Sequence, residues 1–172
     1  ERALAAVPEL AAYRENVRVT MTAEGLQIDI MDLEGKPMFP VGSERMYPVL
    51  ERLLGVVAAA VRDLPQRLSI RGHTDARPFA AGSASDNWRL SAARANAARR
   101  VLVAAGVPPQ RVAEVVGKAD TEPLVREDPL DARNRRISIV LLTEVPGGRS
   151  PQAQLSGEAG AAAREAVGQS HD

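Results

Sequence analysis

At 172 residues and 45% hydrophobic, the chain is long enough for one sizeable core and short for two. Lys and Arg total 22 and Asp and Glu total 22, an even balance that excludes a global basic field for nucleic acid or an anionic membrane and leaves recognition to local patches. The absence of cysteine excludes disulfide frameworks and thiolate chemistry, and the longest nearly apolar run, Leu53 to Val61, is too short to cross a bilayer.

From Glu1 to Glu15, Leu4, Val7, Leu10 and Ala11 keep a helical spacing interrupted by Pro8, which predicts a short helix. Val17, Val19 and Met21 alternate with Arg18 and Thr20, and after Ala23-Glu24-Gly25 the same period returns in Leu26, Ile28 and Ile30. Two strands joined by a turn are expected. Gly35 to Ser43 reads as an ordered loop anchored by Phe39. Pro48 suits the first turn of the next helix, in which Leu50, Leu53, Leu54, Val57 and Val61 form an apolar stripe. Leu68 and Ile70 alternate with Arg67, Ser69 and Arg71, predicting a strand that ends at Gly72. After a loop from Thr74 to Asn87, the residues Leu90, Ala93, Ala97, Val101 and Ala104 mark one face of a second helix, closed by Gly106. Arg111 to Val116 predicts a short strand and Ile137, Ile139 and Leu141 a final one. The polar connection between them, Gly117 to Arg135, is long enough to suggest a function.

This order predicts an α/β fold with helices packed on a mixed sheet. Right-handed crossovers make the central strands parallel, with the last strand antiparallel at or near them. Residues 1–25 are expected to form an N-terminal helix and strand extension and residues 26–145 the main domain. Residues 146–172 read as a flexible Gly/Ala-rich tail, with a marginal helix over Ala159 to Val167. The chain opens at Glu1 without an initiator Met and without the basic and apolar segments of a secretory signal, which fits a fragment whose missing part holds a membrane anchor.

Candidate chemistry gathers in the middle of the chain. Asp75 follows a strand at the edge where α/β sheets place binding residues, so its carboxylate either receives an ammonium or peptide N–H, or braces its own loop as an Asx turn. Arg94 falls on the apolar side of the second helix and needs a partner there, either a ligand carboxylate matched to its planar fork or an internal salt bridge to Asp75 or Asp86. Asn87 reads first as a helix cap, with Asp86 as a rival, and second as an amide offered to a ligand. Thr74 places a hydroxyl beside Asp75, with turn support as its simpler use. Leu90 and Ala97 are expected to pack. His73 with Asp75 superficially suggests a metal or acid–base pair, but His171 is the only other histidine. There is no cysteine to complete a zinc set and no G-x-S-x-G elbow for a serine nucleophile, so neither a cofactor nor a metal is expected. His73 reads as a hydrogen-bonded residue beside the groove. Arg133, Asn134, Arg135 and Arg136 form a basic cluster that alone reads as a solvated face.

Ile70-Arg71-Gly72-His73-Thr74-Asp75, then Asn87-Trp88-Arg89-Leu90-Ser91-Ala92-Ala93-Arg94-Ala95, then Asn134-Arg135-Arg136 together resemble the OmpA-like peptidoglycan-binding domain over about Leu26 to Leu142. That family's pattern is a strand ending G-H/Y-T-D, a helix beginning N-x-x-L-S-x-x-R-A and a late N-R-R. Within it, Gly35-Lys36-Pro37-Met38-Phe39-Pro40 and the Asn87 to Arg100 segment are similar to the flagellar stator B subunits. The resemblance implies a βαβαββ two-layer sandwich that binds wall peptide without catalysis. In it Asp75 and Arg94 would hold diaminopimelate, Thr74 and Asn87 would line the site, and His73, Leu90, Ala97 and Arg136 would support it. It further implies a homodimer, a periplasmic place in an inner-membrane protein and a stator A subunit as partner. A general OmpA-type wall anchor, a wall hydrolase and a protein-interaction module are the alternatives.

Overall fold

A computed structural model describes residues 7–143. The expected tail and its marginal helix, and the residues before Val7, lie outside the described residues. Strands β1 (Val17–Thr22) and β2 (Gly25–Met31) form an antiparallel hairpin, helix α1 spans Pro48–Val61, and β3 spans Leu68–His73. Helix α2 (Asn87–Ala104), β4 (Val112–Gly117) and β5 (Arg136–Leu142) follow. The sheet order is β1-β2-β5-β3-β4, with β3 and β4 parallel and β5 antiparallel to both β2 and β3. The last strand therefore enters the sheet between two strands already joined by an α1 crossover, and both helices pack on the mixed sheet as expected.

Alternation explains which face is covered. Ile28, Ile30, Ile70, Ile137 and Ile139 meet Leu50, Leu53 and Leu54 of α1 in one core, all at most 8% exposed. The intervening residues Asp29, Ser69, Arg71 and Ser138 lie on the far face, where polar groups satisfy one another. There Arg71 donates to both oxygens of Glu24 at 2.7 and 2.8 Å, and Gln27 donates to Asp29 at 3.0 Å.

Two elements refine the expectation. The short N-terminal helix is a 3-10 helix, Pro8–Asn16. Val7, Leu10, Tyr13 and Asn16 recur every third residue, the period of a 3-10 helix, so the three apolar ones stack toward the core while Asn16 donates to Met31 O at 2.9 Å. In α2 the buried residues are Leu90, Ser91, Arg94, Ala95, Ala97, Ala98 and Leu102, whereas Ala93 and Val101 are half-buried and Ala104 is exposed. The expected stripe holds at Leu90 and Ala97, and its core side extends to Ser91, Ala95, Ala98 and Leu102. The cause is close approach: a Cβ on Gly72 would overlap Ser91 O, and one on Gly117 would lie 2.7 Å from Ala92 N. Small residues, not large apolar ones, mark this interface, and its tight seat fixes α2 against the ends of β3 and β4.

Candidate ligand-binding groove

A groove of about 340 Å³ opens where β3 ends, between the Pro37–Gly42 loop, the first two turns of α2 and the residue preceding β5. Asp32, Phe39, Thr74, Asp75, Asn87, Leu90, Arg94 and Arg135 line it. Thr74 N donates to Ala119 O at 2.9 Å, with Ala119 itself in the left-handed region at φ 49° and its N–H donating to Ser91 Oγ at 3.0 Å. That chain of contacts ties the end of β3 to α2.

Asp75 divides its two oxygens. Oδ1 accepts from Arg77 N at 3.1 Å, the Asx turn, while Oδ2 accepts from Arg135 Nη1 at 2.6 Å. Arg135 Nε reaches Asp32 Oδ2 at 2.9 Å, so one guanidinium bridges two buried carboxylates. Burial pulls the Arg135 pKa down, and the bonds to Asp32 and Asp75 outweigh it, leaving the net shift upward. For Asp32 burial dominates and raises the carboxyl above its usual range, with Arg135 opposing.

Arg94 forms neither expected salt bridge. Asp75 is engaged by Arg135, and Asp86 caps α2 by accepting from Arg89 N at 2.8 Å. Instead Arg94 Nε donates to Ser43 O at 2.8 Å and Nη2 to Pro40 O at 3.1 Å, and the guanidinium lies 4.5 Å from the centre of the Phe39 ring. Among the described residues no carboxylate oxygen comes within salt-bridge distance of it. It is 3% exposed, and burial first, with Arg135 adding to it against Asp32 and Asp75, pushes its pKa down to about 10.

Asn87 is the first residue of α2 and does not cap it. Its Nδ2 donates to Arg77 O at 3.2 Å and to Asp75 O at 3.4 Å, holding the loop that carries Asp75. Thr74 lines the groove, and its Oγ1 is buried without a partner among the described residues. Leu90 forms part of the groove wall, whereas Ala97 packs on the other side of the Pro40 loop, in a second concavity with Tyr47 and Arg100.

Two expected supporting residues lie elsewhere. His73 and Arg136 are register partners across β3 and β5 on the far face of the sheet. His73 makes no Nδ1 hydrogen bond among the described residues, and burial, then the charges of Arg136, Lys118 and Arg71, lower its pKa to about 3. Arg136 donates to Glu122 O at 2.9 Å and to Asn134 O at 3.3 Å. The groove-facing arginine of the cluster is Arg135, and Asn134 braces the preceding loop by accepting from Val125 N at 2.8 Å. Asp32 did not stand out in the sequence as a groove residue, and Arg135 was one of three arginines between which the sequence did not choose. A parity count back from Ile137 on the core face places Arg136 on the far side and Arg135 toward the helices, and that is the signal that finds it.

The OmpA family model matches residues 38–136. Motility protein B of Escherichia coli K12 is 41% identical over 138 residues, which cover 80% of this chain and 45% of that protein, so the chain spans less than half of this relative. The cell wall anchor of the T6SS from Pseudomonas aeruginosa has 30% identity and a TM-score of 0.64 over 83% of this chain and 96% of that one. The periplasmic domain of Helicobacter pylori MotB shares the fold at a TM-score of 0.65 with 20% identity, over 86% of this chain and 98% of that one.

Proposed function

The chain belongs to the OmpA family, and from that membership we propose that it is a non-catalytic peptidoglycan-binding domain whose groove takes the diaminopimelate of a wall stem peptide. The observation that carries the reading is Arg94, a buried guanidinium without a carboxylate partner among the described residues, set in the same groove as the Asp75 carboxylate. Arg94 suits the ligand carboxylate and Asp75 its ammonium, while Thr74 Oγ1 and Asn87 supply polar contacts. Ligand binding requires Asp75 to exchange Arg135 Nη1 for the ammonium, and Asp32 keeps Arg135 paired during that exchange. Recognition of this kind breaks no bond.

Likeness to Motility protein B supports an anchor for a flagellar stator, in the periplasm, with the domain paired as a homodimer and tied in the longer protein to a stator A subunit in the inner membrane. Likeness to the wall anchor of a secretion system favours a second reading, a general wall anchor outside the motor. Co-sedimentation with purified sacculi tests the shared part: wild type pellets with the wall and Asp75→Ala stays in the supernatant. Equal pelleting of both defeats the groove assignment. Swimming in soft agar of a strain whose full-length gene carries Asp75→Ala separates the two anchors, because only the stator reading requires motility to fail.

A further inference from the structure

Two guanidiniums face this groove, and Asp75 can balance only one of them. The second balance comes from Asp32, which is 3% exposed, bonds Arg135 Nε at 2.9 Å through Oδ2 and accepts Met38 N–H at 2.8 Å through Oδ1. Ionising a carboxylate so deeply buried costs free energy that nearby positive charge must offset, and Arg135 and Arg94 are the two cations acting on it. Arg77 also lines the groove, but its side chain is exposed and screened by water. The inward charges are therefore Asp32 and Asp75 against Arg94 and Arg135, a sum of zero. Without Asp32 the same walls would carry a net positive charge and would favour a ligand end that is anionic.

We propose that Asp32 is a specificity-determining residue: by neutralising Arg135 it makes the groove select a zwitterionic ligand end, one ammonium with one carboxylate, over an anionic end of the same shape. The inference rests on the wall-peptide reading and assigns the discrimination to a residue that touches Arg135 rather than the ligand.

The test uses the whole chain and two soluble probes, the tripeptide L-Ala–γ-D-Glu–meso-diaminopimelate and the same peptide with the distal amine acetylated. Titration calorimetry on wild type is expected to show acetylation weakening binding by about tenfold or more, since Asp75 then faces no ammonium. In Asp32→Asn, which keeps an acceptor for Met38 N–H, that ratio is expected to fall by about tenfold or to reverse. Asp32→Glu, which restores the charge, should recover the wild-type ratio, an outcome that a purely structural role does not require. An Asp32→Asn ratio equal to wild type overturns the inference while leaving the wall reading intact. Failure of wild type to bind either peptide or sacculi overturns both. Should Asp32→Asn not fold, Arg135→Gln reads the balance from the other side: the ratio must rise, and an unchanged or lower ratio overturns the inference.

Discussion

Arg94 holds its charge where the nearest oxygens are carbonyls, those of Ser43 and Pro40, and this gives it two roles at once. It ties the Pro40 loop to α2, and on the proposed reading its charge is what a ligand carboxylate meets. Arg94→Lys retains the charge but cannot reproduce a fork that reaches two carbonyls and stacks on Phe39. Binding to sacculi is expected to weaken by about tenfold or more, with only a small fall in Tm. A Tm loss in proportion to the binding loss would reduce Arg94 to a brace. His73 gives a second expectation. Its folded pKa, about 3, lies below the ordinary value of 6.5, so the unfolded chain binds its proton first as pH falls. The stability due to a neutral His73 is complete above pH 6.5 and is lost progressively from there toward pH 3. The slope from this one group is about 1.4 kcal/mol per pH unit. His73→Tyr, which the family motif admits, should flatten urea-unfolding stability between neutrality and pH about 4.5, and equal acid slopes in both proteins would refute the account. The groove itself was half legible in the sequence. Asp75 and Arg94 stood out because charge on an apolar edge or face demands a partner, whereas Asp32 and Arg135 did not, because their partnership spans |i−j| of 103 and only β5 docking beside β2 brings them together.

At the scale of elements, α1, β2, β3 and β5 could be read from periodicity alone because large apolar residues mark their buried faces. Leu50, Leu53 and Leu54 are fully buried, as their spacing requires. Helix α2 could not be read so simply. Of its buried residues, Ser91, Ala95 and Ala98 have too little bulk to show in a hydrophobic pattern beside Leu90 and Leu102. What selects that face is the partner surface, two glycines at the ends of β3 and β4. Their role is testable. Gly72→Ala would drive its methyl into the Ser91 carbonyl, a backbone atom that cannot swing aside, so α2 must lift from the sheet. A loss of about 3 kcal/mol or more is expected, together with loss of sacculus binding, because Arg94 sits on α2 and Asp75 just beyond the end of β3, the two elements being separated. Gly55→Ala serves as the control: it lies in α1 with nothing within 4 Å of the added methyl, and it should leave stability unchanged or improved. If Gly72→Ala melts like wild type, the close seat of α2 is not what holds the groove in shape.

At the scale of the molecule, the sheet has two edges, β1 and β4, and they differ in what they expose. On β1, Val19 is 46% and Met21 73% exposed, on the same side as the core residue Ile28 and the half-buried Leu26 opposite them, while the outer backbone groups of the strand have no sheet partner among the described residues. Such an edge is a template for another strand. Antiparallel pairing of β1 with β1 of a second copy would satisfy those groups, cover Val19 and Met21 from both sides and leave both grooves free, since the groove lies at the β3 end of the sheet. A homodimer built in this way is expected to persist when the chain is ended at Thr143, and to fall to monomer on Met21→Lys, which places like charges across the twofold axis. Light scattering over a concentration series on these three proteins decides the matter. A monomer mass for the whole chain at high micromolar concentration rejects pairing through this domain, and a dimer lost only on ending the chain at Thr143 moves the interface to the residues beyond. Retention of the dimer by Met21→Lys would instead assign pairing to a surface other than β1.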